Sequence, residues 1–124
     1  MKKETTLALG AVLGATAVAI GAFGAHALKP FLTQVGRTET FELAVRYHFY
    51  HALAMVATGL AMHHYPNKIL SYSGWLFLAG ILFFSGSLLI LCFTGLGVLG
   101  AITPIGGVCF IAGWICLSLG VYKK

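Results

Sequence analysis

The chain has 124 residues, 59% hydrophobic and 9% charged, against about 25% charged in an ordinary soluble domain. With a mean hydropathy of +0.91, it has too few charged side chains to cover a water-exposed surface. The net charge of +5 does not signal nucleic acid, because Lys2, Lys3, Lys68, Lys123 and Lys124 flank apolar runs, as orientation-setting residues do.

A hydrocarbon core about 30 Å thick takes roughly 20 helical residues to cross. Helix is the expected state of each apolar run, since a lone strand leaves its backbone groups unpaired in lipid. The first span is expected from about Thr5 to Leu28, stopped by Lys29-Pro30. Lys2-Lys3 and the later Ala25-His26-Ala27 imitate a signal peptide, yet the apolar run exceeds the ~7–15 residues of a signal core. It reads as a retained helix. On it, Gly10, Gly14, Ala17, Gly21 and Gly24 share one narrow stripe at 100° per residue. Ala8, Ala11, Ala15, Ala19, Ala22 and His26 share a second. Lipid gives helices no hydrophobic reason to associate, so close approach through small residues supplies the contact energy. Two stripes imply neighbours on both sides.

The linker KPFLTQVGRTETFE is the longest polar stretch. The second span runs from about Thr40 to His64, closed by Pro66-Asn67, and collects ionisable residues near its start. Glu39, Glu42, Arg46 and Tyr50 lie on one stripe, with Glu42 and Arg46 at the i,i+4 spacing of an ion pair. Tyr47, His48, His51 and Thr58 lie on another. Val45, Phe49, Leu53, Val56 and Leu60 form a third, apolar face that most simply meets lipid. An ionisable residue at membrane depth normally faces the bundle, because exposing it to hydrocarbon costs about 2.5–3.5 kcal/mol. Glu42 and Arg46 lie within two turns of the helix start, where an interfacial ion pair with a Tyr47–Tyr50 belt is the simple alternative. His63 and His64 read as solvated turn residues.

The third span covers about Ile69 to Phe93, with Ser73, Gly80 and Ser87 seven apart. The linker TGLGVLGAIT carries no charge, and Thr103-Pro104 reads as an N-cap with proline at the first helical position. The fourth span then runs from about Pro104 to Tyr122, with Gly106, Cys109, Gly113, Cys116 and Gly120 on one seam. Cys92, Cys109 and Cys116 fit neither a disulfide framework nor zinc spacing and read as packing residues. The expected fold is an all-α membrane protein, a single domain over residues 1–124 and a compact four-transmembrane-helix bundle. Its seams are small residues, with Gly10, Gly14, Gly21, Gly24, Gly80, Gly106, Gly113 and Gly120 at the contacts. Five lysines on one side against Lys29, Arg37 and Arg46 on the other put both termini in the cytoplasm.

Several blocks, GAFGAHAL (21–28), YHFYHALA (47–54), FFSGSL (83–88) and AITPIGG (101–107) with Gly113-Trp114, resemble the YgdD/YwdK family of small bacterial inner-membrane proteins. The resemblance covers essentially the whole chain. It implies one four-helix domain in the plasma membrane and no assigned catalytic activity. It places His26, His51, Ser85, Gly86, Ser87, Thr103, Pro104 and Gly107 at motif positions. Leu88-Leu89 stand where a tyrosine is expected soon after the serine.

Three functional readings follow. One is a non-enzymatic accessory or assembly protein, using its small-residue faces to meet a second copy or another membrane protein. A second is an oligomeric transporter or channel for small solutes. The third binds a metal or haem through His26, His48 and His51, against the simpler expectation of a hydrogen-bonded histidine cluster with no cofactor. No HExxH, CxxCH or catalytic carboxylate pair is present. The most specific expectation is a polar pocket gathering His26, Arg46, His51 and Ser87 or Thr103. Glu42, Tyr47, His48 and Ser85 are further candidates for that pocket.

Overall fold

The first long helix, α1 (Lys3–Ala25), pairs antiparallel with α3 (Thr38–His64). Glycine makes the approach close. A Cβ added at Gly10 would stand 2.8 Å from the Val56 backbone nitrogen, and one at Gly59 would stand 2.8 Å from that of Leu7. Gly21 faces Val45, and Gly24 lies under the Phe41 ring. The expected first stripe is therefore the α1–α3 seam. Between the two helices, the short α2 (Lys29–Val35) inserts buried Leu32 against Phe41 and Cys92. This helix occupies the stretch expected to be a linker. Pro30 sits in its first turn, where a missing N–H costs nothing, and Gly36 ends it in the left-handed conformation at φ 68°.

The computed structural model describes residues 1–123, so Lys124 lies outside the described residues. Beyond α3 come α4 (Lys68–Gly80), a π-helical segment (Ile81–Gly86) and α5 (Ser87–Thr94), which run on as one helix over Lys68–Thr94. The last element is α6 (Leu99–Tyr122), antiparallel to that helix. Gly106, Gly113 and Gly120 meet Phe84, Phe77 and Leu70, and Gly80 in return receives Phe110. Both partners of this seam thus advance in steps of seven. Ser73 adds a buried hydrogen bond to the Gly113 carbonyl at 2.9 Å.

Helix α3 is the hub. It buries Phe41, Ala44, His48, His51, Ala52, Ala54, Met55, Thr58 and Gly59. One side packs on α1, and the other on Leu88, Phe77 and Ile81. Strands are absent among the described residues. Among the described residues, three helices, Lys3–Ala25, Lys68–Thr94 and Leu99–Tyr122, are long and apolar enough to cross a membrane. Helix α3 is the longest single α-helix at 27 residues but carries Glu39, Glu42, Arg46 and four of the five histidines. Outward-facing Val12, Leu53, Leu82, Val108 and Ile111 are all more than half exposed, which suits a lipid-facing surface and would drive aggregation in water.

Three expectations need correction. Helix α6 starts at Leu99, and Pro104 lies inside it. Leu99, Gly100 and Ala101 each bond three residues back, to Leu96, Gly97 and Val98, so a tight 3₁₀ lead-in starts the helix early. Thr103 is no cap, because its Oγ1 donates to the Leu99 carbonyl at 3.2 Å. The second α1 stripe has no neighbour among the described residues, since Ala8, Ala11, Ala15, Ala19, Ala22 and His26 are all exposed. The apolar face of α3 is divided: Val56 and Val45 lie on the α1 glycines, while Phe49, Leu53 and Leu60 are exposed.

Candidate functional site

His48 and His51 are three residues apart, so on a helix they point about 60° apart, and they turn to different neighbours of α3. His51 is 5% exposed. Its Nδ1 lies 2.7 Å from the Tyr47 carbonyl, and its Nε2 lies 3.2 Å from the Trp114 indole Nε1. An indole N–H only donates and a carbonyl only accepts. The ring is therefore the neutral tautomer protonated at Nδ1, with both nitrogens engaged. Its face stacks on Phe110 with centroids 3.5 Å apart, and Phe77 stands 5.7 Å away. Tyr47 stacks on Phe84 at 4.8 Å and extends the aromatic layer.

His48, also 5% exposed, reaches α1 instead. Its Nε2 lies 3.4 Å from Thr16 Oγ1, while that hydroxyl donates to the Leu13 carbonyl at 2.9 Å. A hydroxyl has one proton, so His48 donates and Thr16 accepts. Sequence reasoning missed Thr16, Phe110 and Trp114 as the partners. The signal for the last two was their i,i+4 spacing on α6, with Trp114 already inside a resemblance block.

Ser87 and Thr103 meet each other. Their oxygens are 2.7 Å apart, linking α5 to α6, and Ser87 also lies 3.0 Å from the Phe84 carbonyl. One hydroxyl gives its proton to the other, and the second bonds its own backbone. Ser85, within the π-helical segment and 1% exposed, leaves its Oγ without a hydrogen-bond partner. Gly86 closes that segment, and Gly107 lies 4.0 Å from the Phe84 ring by its missing Cβ.

Glu42 and Arg46 are exposed and line a cavity of about 220 Å³ at the mouth of α1 and α3. Gly21, Gly24, Leu32 and Thr38 form other parts of its wall. The two charges are not paired at 4.0 Å or less; among the described residues that contact is made by Lys3 and Glu4. His26 stands apart, exposed at the C-terminal end of α1. The single pocket expected from the sequence is thus dispersed. Arg46 with Glu42, His48 with Thr16, His51 with Trp114, and Ser87 with Thr103 occupy separate places. His26, His48 and His51 are not brought together, and no group of three metal-ligating side chains occurs among the described residues. The geometry can hold helices together through internal hydrogen bonds and can admit a small polar group beside Glu42 and Arg46.

Comparison with known proteins gives a consistent picture. Residues 20–107 match the family model described as protein of unknown function (DUF423). A UPF0382 membrane protein of Staphylococcus saprophyticus is 44% identical, covering 93% of this chain and 94% of its own. The UPF0382 membrane protein YwdK of Bacillus subtilis is 43% identical with the same coverage, 93% and 94%. A third, from Staphylococcus epidermidis, is 44% identical over 93% of each. No solved structure matches. The resemblance seen in the motif blocks is therefore one of kinship, and the chain belongs to the DUF423 (UPF0382) family of membrane proteins of unknown function.

Proposed function

We propose that this chain is a four-span protein of the bacterial plasma membrane, a single helical domain with both termini cytoplasmic, acting as a non-catalytic accessory protein for other membrane helices. One observation carries the accessory role. The polar side chains inside the bundle are mostly matched within the chain, as His51 is by Trp114, His48 by Thr16 and Ser87 by Thr103. The Ala8–Ala22 face of α1, by contrast, is left exposed. Small residues facing lipid gain nothing there, whereas against a second helix they permit close packing. Solute transport needs a polar path between the two ends, but the charged side chains here stay near the ends.

The fourth span in this reading is α3, which buries its histidines and keeps Glu39, Glu42 and Arg46 within about two turns of its start, close enough to reach headgroups. Lys3, Lys68 and Lys123 line hollows around the Pro66-Asn67 turn, while Lys29 and Arg37 lie at the far end. That imbalance supports cytoplasmic termini. The test uses Ala15→Cys in a chain whose three cysteines are replaced by alanine, oxidised in native membranes. A disulfide-linked species of discrete mass is expected, either a dimer or a complex with one other protein. Only monomer from Ala15→Cys, with the same result from Ala8→Cys and Ala22→Cys, refutes this face as a contact surface.

A further inference from the structure

The cavity beside Glu42 and Arg46 does not stand alone. A second hollow of about 270 Å³ adjoins it, sharing Gly21, Val45 and Arg46 and bounded further along by Ala17, Val18 and Phe49. The first hollow offers a guanidinium, a carboxylate and the Thr38 side chain; the second is bordered by apolar side chains and one phenol, Tyr50. Small residues create both. At Gly21 a Cβ would come within 3.2 Å of Val45, and any longer side chain there would project into the shared wall.

From this arrangement we infer a binding site for one glycerophospholipid whose headgroup carries both a phosphate and an ammonium, its phosphate on Arg46, its ammonium on Glu42 and an acyl chain along the Val18–Phe49 groove. Charge complementarity selects the headgroup. Arg46 and Glu42 are one helical turn apart on the same face, and neither is neutralised by the other at ion-pair distance. A guanidinium suits phosphate oxygens in a planar, two-pronged contact. The carboxylate beside it repels a purely anionic headgroup and accepts from an ammonium. A free zwitterion of the same chemistry would fill the polar hollow but leave the groove bare. This inference is independent of the accessory role, which rests on the Ala8–Ala22 stripe of α1.

The full chain, purified in mild detergent, is exposed to an equimolar mixture of phosphatidylethanolamine and phosphatidylglycerol with identical acyl chains. Native mass spectrometry then reads the retained adducts. The wild-type chain should favour phosphatidylethanolamine by about tenfold, the size of one charge-assisted contact. Glu42→Gln, at an exposed position, should bring the ratio near one while the helical circular dichroism stays unchanged. Arg46→Gln should lower retention of both lipids. Free phosphoethanolamine in large excess should fail to displace the lipid. Equal retention by the wild-type chain overturns the proposal, as does a ratio unmoved by Glu42→Gln. Displacement by free phosphoethanolamine overturns the groove's part and leaves a site for the soluble zwitterion instead.

Discussion

The tightest feature of the fold is the crossing of α1 and α3, and it yields a quantitative expectation for Gly10→Ala. The added methyl would stand 2.8 Å from the Val56 nitrogen and 3.0 Å from the Ala52 oxygen, where ordinary contact begins at 3.4 Å. Both obstacles are backbone, so no rotamer change relieves them. The helices must part by roughly half an ångström, which breaks packing along the seam that Gly59 forms with Leu7. Overpacking of this kind costs about 1–3 kcal/mol, and the helical preference for alanine over glycine returns about 0.5–1 kcal/mol. A net loss of up to about 2.5 kcal/mol is expected. Gly14→Ala is the internal control, because its methyl would lie 3.9 Å from the Phe49 ring. That variant should be neutral or up to about 1 kcal/mol more stable. Equilibrium unfolding by sodium dodecyl sulfate in mixed micelles, followed by tryptophan fluorescence, measures both. Equal stability of the two variants would refute the close crossing.

Other variants probe the remaining contacts by the same titration. Ser85→Ala removes a buried hydroxyl with no partner and should stabilise the chain by about 1 kcal/mol; a loss of that size would mean the hydroxyl is bonded. A double-mutant cycle with His51→Phe and Trp114→Phe should show a coupling of about 0.6–1.7 kcal/mol, the range of interhelical hydrogen bonds in a bilayer. Zero coupling would remove the His51–Trp114 bond from the account. Gly36→Ala should cost about 1 kcal/mol, because Gly36 has φ 68° and a Cβ is disfavoured there even in open space. An unchanged midpoint would show that α2 does not end as described.

Helical periodicity carried much of the architecture. At 100° per residue it sorted Gly10, Gly14, Gly21 and Gly24 onto the α3-facing side of α1, and Gly106, Gly113 and Gly120 onto the side facing the Lys68–Thr94 helix. What it could not assign was the identity of each neighbour. Val45 and Val56 looked lipid-facing on their own helix, yet the glycines opposite make room for them. The Ala8–Ala22 stripe looked like a second internal seam, because small residues announce close packing without saying with which chain. Proline misled twice. Pro30 begins α2 rather than merely ending α1, and Pro104 sits one turn inside a helix that a 3₁₀ lead-in starts early. The π-helical segment over Ile81–Gly86 has no composition of its own. For the candidate site, the sequence supplied the residues but grouped them wrongly in space. His48 and His51 share a helix face only coarsely, and their 60° divergence sends one to Thr16 on α1 and the other to Trp114 on α6.

The central claim is that α3 crosses the membrane despite its charged start, which makes four spans and puts the α2 and α5–α6 turns on the side opposite Lys68. Thiol labelling in intact cells tests it most directly, in a chain freed of its own cysteines. Gln34→Cys and Leu96→Cys should react with a membrane-impermeant maleimide from outside, and Asn67→Cys only after the cells are lysed. Labelling of Gln34→Cys and Asn67→Cys from the same side would mean that α3 lies on the membrane instead of crossing it, and the four-span account would fail.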